Sequence, residues 1–195
     1  NPSAVTVLSR LISGRLKELA FDENRRSIIS SIMEKSEDPY GFKLTSSKPM
    51  KLLVINCGSS SLKYFLFDTA EETRNAWGSV ERIGTEGTSH TYNALENEIK
   101  TDLPIGSHKE ALEAMIDALT AEHTGVIRLL DEISAVGHRV VHGGDKFSHS
   151  MKLTKEIIHK IEEISDLAPL HNPINLLGIR ETQKVFPDIP HIAVF

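Results

Sequence analysis

One cysteine, Cys57, stands in 195 residues, so no intramolecular disulfide is available to staple the fold. The chain also lacks any run of about 18 apolar residues, the length a membrane-spanning helix needs, and no membrane anchor is expected. Positive charge is not in excess. Against 27 Asp and Glu there are 22 Lys and Arg, a net charge of −5, which speaks against a nucleic-acid-binding stripe. No basic-then-apolar stretch ending in small residues reads as a secretory leader, and with a lone thiol the expected setting is reducing and cytoplasmic. The first residue is Asn1 and not Met, which fits either a processed terminus or part of a longer product. What is present is ordinary for a folded protein: 39% hydrophobic and 25% charged residues, outside the regime of disordered chains. At ~100–200 residues per domain, this length holds one domain or one domain with an appendage.

The chain changes character near Met50. Residues 1–49 carry 8 Lys and Arg against 6 Asp and Glu, and residues 50–195 carry 14 against 21. In the first segment Val5, Leu8, Ile12, Leu16 and Leu19 recur at helical spacing, followed by Ile28, Ile29, Ile32 and Met33. Two amphipathic helices are expected there, then a breaker-rich linker through Pro39, Gly41, Ser46, Ser47 and Pro49. A helix pair of that size cannot bury a core alone and must lean on something or fray.

From Met50 the pattern becomes alternating strand and helix. Residues 51–56 and 62–67 read as buried strands joined by Cys57-Gly-Ser-Ser-Ser61, and further strands are expected over 76–82 and 89–95. The chain thus opens with an antiparallel meander. Ser107 and Glu110 form a capping box ahead of a helix over 107–123, whose apolar face is Leu112, Met115, Ile116 and Leu119. A strand over 135–141 ends at His142-Gly-Gly144, and Ile157, Ile158, Ile161 and Ile164 stripe a helix starting near Thr154. Asn172 precedes Pro173 as a cap before a first-turn proline, so a further helix is expected to about Lys184. Residues 190–195 read as a last buried strand. Domains seldom end in a fresh apolar strand without a polar tail, so the fold is expected to continue past Phe195.

Three stretches carry candidate chemistry. Asn56-Cys-Gly-Ser-Ser-Ser-Leu-Lys63 packs three hydroxyls, a glycine and a lysine between two strands, which suits a phosphate; an ordinary Gly-Ser hairpin turn has the same look. It is not a Walker A loop, because the second spaced glycine and its Lys-Ser/Thr are missing and a strand follows. In Gly137-His-Arg-Val-Val-His-Gly-Gly144, strand alternation sends Arg139 and Val141 to one face and His138, Val140 and His142 to the other. Arginine beside valine suits a small aliphatic carboxylate, and equally an edge-strand arginine paired with a surface acid. Zinc at His138 and His142 would need ligands the local sequence does not supply. Third, Asp166-Leu-Ala-Pro-Leu-His171-Asn-Pro is a loop opening onto a helix N-terminus, where anions are favoured; His171 is either a donor to a phosphoryl group or a loop histidine.

Taken together and in this order, the stretches over 53–64, 137–144 and 167–176 resemble the acetate kinase family, and the resemblance covers residues 50–195. It implies an α/β lobe of the actin, hexokinase and heat-shock-chaperone type, ribonuclease H-like, with a mixed sheet and flanking helices. Here that lobe is expected to be truncated and to be preceded by a short helical extension, 1–49. It also implies reversible phosphoryl transfer from ATP to acetate, giving acetyl phosphate and ADP, with Mg2+ or Mn2+. By position, Asn56 resembles the family's magnesium-site asparagine, and Ser59, Ser61 and Lys63 its phosphate contacts. Arg139 resembles the arginine holding the carboxylate, Val141 and Leu170 the methyl pocket, and His171 a histidine near the transferring group. The family's catalytic aspartate, its later histidine and arginine, the metal-site glutamate, the adenosine pocket and most of the homodimer interface are expected to correspond to sequence past Phe195. A propionate or other short-chain acyl kinase, and a non-catalytic truncated binding module, are the alternative expectations.

Overall fold

The computed structural model describes residues 50–70, 73–94, 97–144, 147 and 149–195. The two helices and linker expected within 1–49 lie outside the described residues. Among the described residues eight strands form one mixed sheet. The first five are β1 (Lys51–Cys57), β2 (Ser61–Asp68), β3 (Thr73–Glu81), β4 (Ser89–Ala94) and β5 (Asn97–Asp102). Helix α1 (His108–Thr120) leads to β6 (Ile133–Arg139) and the short β7 (Met151–Lys152). Helices α2 (Lys155–Glu163) and α3 (Asn172–Val185) precede β8 (His191–Val194). The strand order is β5-β4-β3-β2-β1-β6-β8-β7. The meander β1 to β5 is antiparallel throughout, whereas β6 runs parallel to β1 and β8 parallel to β6. The C-terminal ends of β1, β6 and β8 therefore lie at one edge of the sheet, where open α/β sheets place ligands.

Alternation along each strand sorts side chains onto two faces. One face carries Leu53, Ile55 and Cys57 of β1 with Leu62, Tyr64 and Leu66 of β2, and these share a buried core with Ala111, Leu112, Met115 and Leu119 of α1. A second buried cluster joins Val140 and Ala193 to Leu176 and Ile179 of α3 and to Ile161 of α2. The opposite face carries Leu52, Val54, Ala135, Ile192 and Val194, all buried.

Helix starts follow their caps. Ser107 Oγ accepts from Glu110 N–H, and the Glu110 carboxylate reaches back to Gly106 N–H, one residue earlier than an ordinary capping box. Thr154 caps α2 by accepting from Ile157 N–H. Helix α1 ends at Thr120, three residues short of the expected limit, because Gly125, Val126 and Ile127 turn their N–H groups back onto Ala121 and Leu119 carbonyls. Strand β5 was not expected: its burial is exposed at all six positions, so no hydrophobic period marks it.

The close approach of α3 to β1 depends on Gly178. A Cβ there would lie 2.3 Å from Cys57 Sγ and 2.8 Å from Cys57 Cβ. Gly178→Ala must lift α3 off the sheet. Overpacking of this kind costs about 1–3 kcal/mol, so a fall of several degrees in the thermal midpoint is expected; an unchanged melting curve would mean the helix has room to spare.

Candidate functional site

The hairpin between β1 and β2 is built from the inside outward. Gly58 N–H donates to Ser61 O at 2.8 Å and closes the loop. Its other carbonyls are taken by three distant elements: Asn175 Nδ2 of α3 donates to Cys57 O at 2.8 Å, His108 Nε2 of α1 to Gly58 O at 2.7 Å, and Ile83 N–H to Ser60 O at 2.9 Å. All peptides among the described residues are trans, so with the Gly58 carbonyl directed at α1 the Ser59 N–H points the other way. Ser59 and Ser60 are exposed and Ser61 half-buried. The negative ends of these peptide dipoles are thus held inward, an arrangement that favours an anion outside the loop.

Register settles which side chains share a face. Asn56 pairs with Lys63 across the antiparallel β1–β2 ladder, and the parallel β1–β6 ladder, whose last rung is Ile55 with His138, carries on to set Arg139 on the same side as Asn56. Asn56, Lys63 and Arg139 therefore face one way, with Lys63 and Arg139 two strands, about 10 Å, apart. Lys63 Nζ pairs with Glu81 at 3.6 Å, both half exposed, a contact that contributes little by itself.

Strand β6 ends at Arg139, two residues before the expected limit, so Val141 does not belong to the strand that was expected to align it with Arg139. Val140 N–H still donates to Val194 O at 2.9 Å, and from Val141 onward α3 takes over the backbone. Asn175 Oδ1 accepts from Val141 N–H at 3.1 Å, and the Asn172 carboxamide binds both the N–H and the carbonyl of His142. The residue that register sets beside Arg139 is Val194 of β8, 5% exposed. Val141 is 40% exposed and Leu170 77% exposed, so neither is enclosed by the described residues.

The third stretch also differs from expectation. His171, not Asn172, is the N-cap of α3, and it makes no side-chain capping bond. Asn172 begins the helix itself because its carboxamide is spent on His142. His171 is exposed at this rim, beside the first turn of α3.

Other groups near the site are chemically silent. Burial pushes the Cys57 thiol up to about 12, which leaves it protonated and unsuited to attack. His191 Nε2 lies 2.8 Å from the Phe186 carbonyl and must donate to it; its Nδ1 then accepts from His138 Nε2 at 2.9 Å. Burial first, and for His138 also the neighbouring His191, hold both rings below the usual histidine range. His142 points elsewhere, its Nδ1 accepting from Gly144 N–H, so the two histidines of the second stretch do not converge. Among the described residues no three His, Cys, Asp or Glu side chains gather as metal ligands. A cavity of about 670 Å³ lined by Thr120, Gly125, Arg128 and Glu132 sits at the opposite edge of the sheet, where Lys51 is bound to Glu132.

Sequence inspection missed His108, Asn175 and the true role of Asn172. A usable signal existed for Asn175: it falls beside Leu176 on the stripe that α3 buries, where a carboxamide needs partners for both ends.

Known proteins share this sequence and fold. The model of the acetokinase family matches residues 51–195. The acetate kinase of Agathobacter rectalis is 51% identical over 147 residues, and that of Halothermothrix orenii 52% over 149. Each alignment covers 75% of this chain and 37% of the relative, so the chain spans little more than a third of the curated relatives it matches. Among solved structures, the acetate kinase of Porphyromonas gingivalis aligns with a TM-score of 0.72 at 41% identity, over 75% of this chain and 37% of that one. A propionate kinase from Francisella tularensis aligns with a TM-score of 0.68 at 39% identity, over 75% and 36%. The mixed sheet with its flanking helices is the actin-like lobe of these kinases. Since a family model spanning β1 to β8 and relatives at half identity cover the serine hairpin, the Arg139 strand and the His171 turn together, the chain belongs to the acetokinase family.

Proposed function

We propose that the whole protein transfers the γ-phosphoryl group of ATP to acetate, reversibly, and that this chain supplies the half of the site that holds the acyl group and part of the phosphate. The observation that carries the proposal is the shared face of Asn56, Lys63 and Arg139 beside a loop whose carbonyls are turned inward. Carboxylate and γ-phosphate repel each other, so a site that joins them must set cations and donors where charge accumulates in the in-line transition state. Arg139 is assigned to the acetate carboxylate, with Val141 and Leu170 as the apolar wall. Ser59, Ser61 and Lys63 are assigned to the phosphates, and His171 donates to the transferring group.

The donor set also bears on a magnesium ion. Asn56 and the serine hydroxyls offer neutral oxygens and no carboxylate, which fits an ion that arrives on nucleotide phosphates and keeps most of its waters. Asn56 would hold it there, and the ion would neutralise phosphate charge. A cytoplasmic setting is proposed from the single buried thiol, and no helix among the described residues is long and apolar enough to cross a membrane. Homodimerisation is assigned to the length that relatives have beyond this match. Residues 50–195 are read as the N-terminal lobe and 1–49 as an extension, in line with a family match that begins at Lys51.

The test is acyl phosphate formation by the full-length protein, trapped as the hydroxamate, with acetate and propionate compared. Acetate should give the higher kcat/KM. Preference for propionate would make this a propionate kinase; Val141 and Leu170 are exposed, so pocket width falls to residues outside this lobe. No product from either acid would leave a binding module. A protein starting at Met50 should turn over as the full-length one does; loss of solubility on that deletion would show that residues 1–49 complete the core.

A further inference from the structure

We propose that Asn175 is a positioning residue: its carboxamide is a strut that fixes the serine hairpin to the chain leaving β6, so that phosphate donors and Arg139 keep one spacing. The inference rests on the acyl-kinase reading above.

The β1–β6 ladder has its last rung at Ile55 and His138. Past it β1 runs on to Cys57, and the chain of β6 to Arg139 and then, outside the strand, to Val141; these are the segments that carry the site. Parallel strands that lose their rungs leave backbone groups that must find other partners. Asn175 supplies one to each strand. Its Nδ2 donates to Cys57 O at 2.8 Å and its Oδ1 accepts from Val141 N–H at 3.1 Å. A carboxamide holds donor and acceptor in one plane, as a peptide group does, so the side chain stands in for a missing rung.

The residue is only 4% exposed, and it sits next to Leu176 in a helix face that packs on the sheet. Burying a carboxamide there costs desolvation that an apolar side chain would avoid, and the cost is offset only while both ends are paired. Neighbouring contacts have other effects. Asn172 grips His142 alone and bridges nothing, while His108 holds the far side of the loop at Gly58. Asn175 alone of the three touches both the phosphate hairpin and the acyl segment, which are 84 positions apart from Cys57 to Val141 in a chain of 195.

A strut of this kind acts on the alignment of two bound substrates, and its loss should appear in kcat before KM. The test compares full-length wild type with Asn175→Asp, which keeps shape and the acceptor but removes the N–H donor, and with Asn175→Ser, which is small and neutral. Thr182→Ala, in the same helix and removing a hydroxyl that donates to Gly178 O, is the structural control. Misplacement of about 1 Å costs on the order of 10²-fold, so kcat should fall about 10- to 100-fold in both Asn175 variants while each KM moves less than about 3-fold. Thr182→Ala should lower the thermal midpoint and leave kcat in place. Wild-type kcat in either folded Asn175 variant overturns the proposal, as does a loss confined to the KM of one substrate. If wild type forms no acyl phosphate, the kinase reading fails by itself, and the strut is judged with inorganic phosphate on 15N-labelled protein. The amides of Ser59 and Val141 should then respond together in wild type and separately in Asn175→Ser; unlinked responses in wild type would overturn it.

Discussion

Purified residues 1–195 should form no acetyl phosphate from ATP and acetate above a control preparation, whereas the full-length protein should form it readily. The chain matches 37% of its relatives' length, and within it the expected apolar wall is open, with Leu170 77% exposed. Charge–charge stabilisation at ~4 Å is about 1 kcal/mol in water and several-fold larger once water is excluded. Arg139 and the serine hairpin facing solvent can hold an anion weakly, but they cannot offset the repulsion between carboxylate and phosphate. The hydroxamate assay must use protein free of host kinase. Turnover by the 195-residue chain comparable with the full-length enzyme would overturn both the two-lobe reading and the assignment of further essential groups to the remaining length.

Arg139→Ala in the full-length protein should lower acetate-dependent kcat/KM by ~10²-fold or more, because in the proposed role the guanidinium would serve both the bound carboxylate and the charge that develops during transfer. Its placement supports a large effect. Arg139 is the last residue of a strand flanked by β1 and β8, so its backbone is held by paired neighbours on both sides of β6. Added guanidine should restore part of the activity, and Arg139→Lys should recover less than a bidentate fork provides. Near-normal kinetics in Arg139→Ala would remove the residue from the site.

Much of the fold was legible because its signals are local. The apolar runs at 51–56 and 62–67, the Ser107 cap and the Ile stripe of α2 each depend on residues within one turn or one strand. Strand β5 was not legible, since Asn97–Asp102 pairs by backbone alone at the sheet edge and buries no side chain. The site divided the same way. Residue types at Ser59, Lys63, Arg139 and His171 suggested an anion and a carboxylate, and their combination pointed to the family. The end of β6 at Arg139 and the partners of Asn172 and Asn175 could not be foreseen, because they depend on hydrogen bonds that close 30 or more positions of chain; only the buried place of Asn175 in its helix stripe was legible.

Those long closures bear on the order in which the molecule assembles. The strands flanking the serine hairpin are sequence neighbours and can pair as soon as they exist, but His108 lies 50 positions beyond Gly58 and Asn175 lies 118 beyond Cys57. Loop closure over such spans is slow compared with hairpin formation. A nascent chain therefore carries a paired hairpin with an unfinished tip, and acquires an anion-ready loop only when α3 docks. Docking of α3 and completion of the loop become one event, so a chain that has not yet reached Asn175 carries no finished anion loop.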